Sequence, residues 1–211
     1  MYLPYIQMLN LGYLHPSLHL YHQLHQLNLL HFDLYVGIFL NFKIDLLKIA
    51  LSKKAILLDL PDDDLEPTIE LLHHISLRES LHTLTIKAQT TNADIAIKLF
   101  GLNPLYGSNT ETPLLEKLNK KGTLFIKNIH FLDRESQEIL AQFIKYGFYS
   151  IYKSDQRIQS DVRIICSTNK DLSALVQQGF FSQLLFKELR KTSLVMPTLL
   201  TLPNKEMNQL I

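Results

Sequence analysis

The sequence predicts an α/β domain in which a mostly parallel sheet is covered by helices on both faces. Two observations predict it. From about residue 34, short apolar runs alternate with helix-forming segments, the pattern left by strand–helix–strand crossovers. The chain is also 46% hydrophobic, with only 7 glycines and 8 prolines in 211 residues, so it can bury a continuous core and has little material for long linkers. That length suits one domain, or one domain with a short appendage.

Taken in order, residues 1–33 read as an amphipathic helical segment. Leu14, Leu18, Leu24, Leu27 and Leu30 recur near helical spacing, with His15, His19, His22 and His25 between them. Residues 34–200 then form the α/β core. Its strands are predicted at 55–59 (AILLD), 83–87 (TLTIK), 122–126 (GTLFI) and 162–167 (VRIICS), each a short apolar run bounded by polar or turn residues. Helices are predicted near 66–76, 92–98, 112–119, 134–146 and 171–188. The first starts after Asp62, Asp63 and Asp64 and carries Pro67, which places carboxylates where the helix dipole favours negative charge. On the helix at 134–146, Ile139, Leu140, Phe143 and Ile144 form the face expected in the core. In a fold of this class ligands bind beyond the carboxyl ends of the strands, so the loops after 59, 126 and 167 are where a site is expected.

Bulk charge narrows the function. Lys and Arg total 21 against 20 acidic residues, leaving no overall field to draw in nucleic acid or anionic lipid, so any such contact would be local. The single cysteine, Cys166, cannot form an internal disulfide; inside an apolar strand it reads as a buried structural residue. No basic region leads into an apolar run at the N-terminus, and no stretch of about 18 apolar residues is long enough to span a bilayer. The expectation is a soluble, cytoplasmic protein with no membrane contact.

Residues 122–181 (GTLFIKNIHFLDRESQEILAQFIKYGFYSIYKSDQRIQSDVRIICSTNKDLSALVQQGFF) carry a resemblance. The strand GTLF, the helix with Gln137 and Leu140, the turn at Gly147 with Tyr149, and DVRIICSTNKDL with Asp161, Arg163, Thr168, Asn169 and Asp171 resemble the AAA+ ATPase domain of bacterial sigma-54-dependent transcription activators. Upstream, Leu99, Phe100 and Gly101 are similar to the family's Leu-Phe-Gly, and AILLD to the strand before its phosphate loop. The likeness spans roughly residues 34–200. It implies a P-loop-type AAA+ core, and a family activity in which a hexameric ring hydrolyses Mg-ATP to remodel promoter-bound sigma-54 polymerase. Residues 201–211 correspond to the start of the family's helical lid, so the expected core lacks the C-terminal lid, its second-sensor arginine and a following helix-turn-helix.

At the positions that the resemblance assigns to nucleotide chemistry, the residues differ. A phosphate loop needs glycines, so that backbone N–H groups close around phosphate, and a lysine. Here the segment is LPDDDLEP: Leu60 and Leu65 take the glycine places and Glu66 the lysine's, with Asp59 and Asp62–Asp64 adding negative charge. Each like-charge pair a few ångströms apart repels by about 1 kcal/mol even in water. The acidic pair after the GTLFI strand, one carboxylate for Mg²⁺ and one to orient water, is replaced by Lys127 and Asn128. Lys127 is expected to pair with Asp62–Asp64 across the empty pocket. The arginine-finger positions align with Ser182 and Glu188, with Arg190 two residues out of register. Only the sensor segment, Thr168 and Asn169, is kept, and it can equally serve as a turn and cap before Asp171. In the sigma-contacting loop, LNPLYGSNTETP, Tyr106 and Gly107 alone match the family's tip.

The resulting expectation is a pseudo-ATPase: an AAA+ module without catalytic residues or cofactor, acting in transcription regulation through a protein partner such as related AAA+ subunits or sigma-54 polymerase. The alternatives are a weak ATP-binding activator domain working through Lys127, Thr168 and Asn169, and a decayed product without selected activity. Metal ligation by His15, His19 and His22 or calcium binding at residues 59–66 is the lesser reading beside a polar helix face and a solvated helix cap. His73, His74 and His130 belong to no nucleophile–base constellation that the sequence defines.

Overall fold

The computed structural model describes residues 48–59, 66–108 and 111–195. The amphipathic segment at 1–33, the start of the lid at 201–211, the histidines at 15–25, and Leu60, Leu65 and Asp62–Asp64 lie outside them.

The described elements run β1 (Ile56–Asp59), α1 (Glu66–Ile75), β2 (Ser80–Thr85), α2 (Asn92–Phe100), α3 (Leu114–Lys117), β3 (Gly122–Lys127), α4 (Arg134–Tyr146), β4 (Phe148–Ser150), β5 (Arg157–Gln159), β6 (Arg163–Thr168), α5 (Leu172–Gln177), α6 (Gln183–Leu189) and β7 (Ser193–Val195). Five strands form one sheet in the order β2-β3-β6-β1-β7, and every pair in it is parallel. This is the predicted α/β class. β3 and β6 are central, which is why their sequences are apolar along nearly their whole length: β6 is buried throughout and β3 up to its last residue.

Three sequence boundaries are corrected and one hairpin is added. β2 begins at Ser80, three residues before the expected start, because Arg78 ties its entry to neighbouring strands: the guanidinium donates to the carbonyls of Gly122 and Asp161 (both 2.9 Å) and to the Asp161 carboxylate (2.8 Å). The helix expected at 112–119 is the single turn α3. The helix expected at 171–188 is two helices. Gly179 adopts a φ of 80°, which terminates α5, and the Ser182 hydroxyl then caps α6 by accepting the Leu185 N–H. The segment after Gly147 forms the antiparallel hairpin β4–β5, whose strands are too short for periodicity to reveal.

One core cluster includes Leu124, Ile126, Leu140, Phe143, Tyr149, Ile164 and Cys166, all nearly or wholly inaccessible, while Ile56, Leu58, Phe125 and Ile165, at the alternate strand positions, are buried outside it. The expected core face of α4 is seen at Ile139, Leu140 and Phe143, with Ile144 half-buried against the same cluster. Cys166 is fully buried, and burial raises its thiol well above its ordinary range, as suits a structural cysteine. Gly122, at the start of β3, is required sterically: a Cβ there would lie 2.4 Å from the Leu118 carbonyl oxygen.

Candidate functional site

Parallel pairing brings three strand ends into one row. Asp59 stands opposite Thr168, Ile126 opposite Cys166, and Thr85 opposite Lys127, so the carboxyl ends of β3, β6 and β1 lie side by side with Lys127, Thr168 and Asp59 at their tips. That row is the edge at which an open α/β sheet binds ligands. Three of the sequence-assigned positions, Lys127, Asn128 and Thr168, are thereby brought together.

Lys127 ends β3 half-buried, and its carbonyl accepts the Ile86 N–H at 3.1 Å. Asn128 turns the chain with a left-handed backbone (φ 62°, ψ 50°), a conformation that asparagine tolerates better than most residues. Its carboxamide donates to the Ile86 carbonyl at 3.3 Å, so the side chain is engaged in holding the β2 and β3 exits together.

Thr168 is 3% exposed, and its hydroxyl is heavily used. It accepts the Lys170 N–H at 3.1 Å and lies 3.0 Å from Nδ1 of His130. The turn leads into Asp171, whose carboxylate accepts the N–H groups of Ser173 and Ala174 and caps α5. The turn-and-cap reading of the sensor segment is therefore what the backbone does; Asn169 follows as an exposed residue of that turn.

His130 was not legible as a site residue. It sits on the 3₁₀ turn Ile129–Phe131, directly after Asn128, and its ring packs against Phe131 at 4.2 Å between centroids. No spacing rule links it to Thr168, 38 residues away; the β3–β6 pairing does.

The arginine-finger positions turn inward. Ser182 is fully buried; its N–H donates to the Gln137 carboxamide oxygen at 2.6 Å and its hydroxyl to Glu138 at 2.8 Å. Glu188 is 5% exposed and paired with Lys191. Arg190 places its guanidinium over Phe186, 5.3 Å from the ring centre. Tyr106 ends the 3₁₀ turn Pro104–Tyr106 and is 66% exposed beside Leu105 at 88%, with Gly107 following; the Lys153 ammonium of the β4–β5 hairpin lies 5.8 Å from the Tyr106 ring. Glu66 is the first residue of α1. Among the described residues, no helix is long and apolar enough to cross a membrane, and no group of three or more His, Cys, Asp or Glu is placed to hold a metal.

Comparison with known proteins places this geometry. The profile of the family described as the sigma-54 interaction domain matches residues 66–195. The chain is 32% identical over 131 residues to the glycerol metabolism operon regulatory protein of Citrobacter freundii, covering 62% of this chain and 20% of that protein. It is 36% identical over 93 residues to the DNA-binding transcriptional regulator NtrC of Bradyrhizobium sp. (strain RP501 Parasponia), covering 44% of this chain and 19% of that one. The match thus spans about a fifth of the length of these curated relatives. Among solved structures, NtrX from Brucella abortus superposes with a TM-score of 0.63 at 22% identity, over 77% of this chain and 37% of that one, and so shares the fold. Since the family match takes in well over half of the residues, the chain belongs to the sigma-54 interaction domain family, the AAA+ P-loop ATPase module of transcription regulators.

Proposed function

We propose that this copy of the module works in transcription regulation without hydrolysing ATP, through protein contacts in the cytoplasm. The observation that carries the reading is the exit of β3. Lys127 and Asn128 stand there, beside Thr168, where bound Mg²⁺ would need a carboxylate oxygen and attacking water would need a base. An ammonium repels the ion, and a carboxamide that already donates to Ile86 polarises no water. These residues do not fit a metal-bound nucleotide. The sequence of the phosphate-loop segment, with Leu60, Leu65 and Glu66 in place of two glycines and the lysine, supports the same reading, as do Ser182 and Glu188 in place of arginine fingers. No nucleotide or metal cofactor is required.

The rival reading, weak nucleotide binding through Lys127, Thr168 and Asn169, is disfavoured because the Thr168 hydroxyl is already committed to His130 and the Lys170 N–H. The partners proposed are related AAA+ subunits or sigma-54 polymerase, with Tyr106 and Gly107 on the contact loop. A phosphate-release assay tests the proposal. Neither the natural chain nor a mixture with a hydrolytically dead relative should release phosphate from Mg-ATP above the buffer rate; steady turnover abolished by Lys127→Ala would overturn it.

A further inference from the structure

At the end of β6 away from Thr168, a charge is buried without a counter-charge. Arg163, the first residue of β6, is 1% exposed and stands opposite Thr123 of β3. Among the described residues no carboxylate pairs with it. Its guanidinium is held there by two backbone oxygens: one Nη donates to the Ala50 carbonyl at 2.8 Å, the other to the Ile49 carbonyl at 2.6 Å. Its Nε is buried with no hydrogen-bond partner. Burial, then the neighbouring Arg78, brings its pKa down to about 10, so the side chain stays charged at neutral pH.

Both acceptors lie in the chain that enters the domain. Residues 48–50 are helical and the chain turns at 51, so these carbonyls sit at a helix C-terminus, where the backbone carries partial negative charge and favours a cation. Residues 51–55 then lead into β1, which pairs with β6, Ile56 against Ile165. Arg163 thereby closes a circuit, from Ala50 through β1, across the sheet to β6, and back to Ala50 by way of the guanidinium. Withdrawal of Ile49 and Ala50 would leave the cation unpaired near Arg78 and His73, or would admit water at the start of β6. Either course costs the sheet, because a buried charge stripped of its partners is strongly destabilising.

We infer that Arg163 fastens the chain upstream of β1 to the middle strand of the sheet, so that the entry at residues 48–52 opens only together with β6. Since β6 ends at Thr168, a partner or a pull acting upstream of residue 48 reaches the strand-tip row through that strand. The coupling owes nothing to nucleotide and stands apart from the proposed function. Arg163 is a positioning residue in this role.

Native-state amide exchange of the full chain tests it. The Ser52 N–H, which donates to the Ile49 carbonyl at 3.0 Å, reports the entry, and the β6 amides report the sheet. In the natural chain their protection factors should agree to within about threefold and respond alike to added urea. Arg163→Met keeps most of the side-chain bulk but removes the charge and its donors. It should let Ser52 exchange about tenfold or more faster than β6, with β6 still protected. If that variant does not fold, Arg163→Lys, which keeps the charge but loses the two-pronged donor, carries the comparison and should shift the ratio in the same direction. The natural chain alone can overturn the proposal: Ser52 exchanging about tenfold faster than β6 there would show that the entry opens by itself. A ratio left unmoved by the substitution would overturn it too, assigning the coupling to the apolar packing of Ala50, which has no exposed surface.

Discussion

Removing the hydroxyl of Tyr149 should stabilise the protein. Tyr149 lies in β4 with no exposed surface, its ring 6.1 Å from Phe100 in a tilted arrangement and 6.1 Å from Phe143 edge-on. Its hydroxyl is buried without a hydrogen-bond partner, and burial, aided by the nearby Glu116, pushes its pKa up to about 12. A buried polar group left unsatisfied costs about 1–3 kcal/mol. Tyr149→Phe keeps both aromatic contacts and deletes only the orphaned group, so a gain of about 1 kcal/mol or more is expected. In a domain of this size that corresponds to a melting temperature higher by about 2–4 °C per kcal/mol. Urea denaturation is the assay: the midpoint should rise with an unchanged slope. A loss of about 1 kcal/mol, as when a satisfied hydroxyl is removed, would refute the reasoning.

Three further perturbations follow from the same geometry. Gly122→Ala should destabilise by about 1–3 kcal/mol in urea, because the new methyl meets backbone at the Leu118 carbonyl that cannot swing aside. Gln137→Leu should cost about 2–4 kcal/mol and reduce amide-exchange protection at the start of α6, since it strips partners from the Leu132 carbonyl (2.6 Å) and the Ser182 N–H (2.6 Å), both buried. His73, bonded to Thr123 at 3.0 Å, has a pKa lowered by burial and then by His74, Arg78 and Arg163. Below pH about 6.5 the unfolded chain therefore binds more protons at this position, and stability present above that pH is lost as the pH falls toward the lowered value. His73→Gln should lessen that loss; a difference between the two proteins that stays flat across this range would contradict the assignment.

The sheet was legible where burial is two-sided. β3 and β6 stand out in sequence because both of their faces meet helices, leaving continuous apolar runs that periodicity detects. β2 was read three residues late because it is an edge strand with a mixed surface, and its start depends on Arg78 bonding to Asp161, 83 residues away. The break between α5 and α6 did carry local signals, a glycine and a capping serine, but the apolar periodicity running through them dominated. At the candidate site, the strand tips Lys127 and Thr168 were legible because strand ends define the binding edge. The tie between Thr168 and His130 was not, since it arises only from the β3–β6 register. The inward turn of Ser182 depends likewise on Gln137 and Glu138, more than forty residues upstream in a different helix.

The central claim, that this copy has left ATP chemistry, is tested most directly by isothermal titration of the purified chain with Mg-ATP and Mg-ADP at concentrations that reveal millimolar binding. The account predicts no heat beyond dilution for either nucleotide. Saturable heat approaching one nucleotide per chain, lost in Lys127→Ala, would contradict it and restore the β3 exit as a phosphate site.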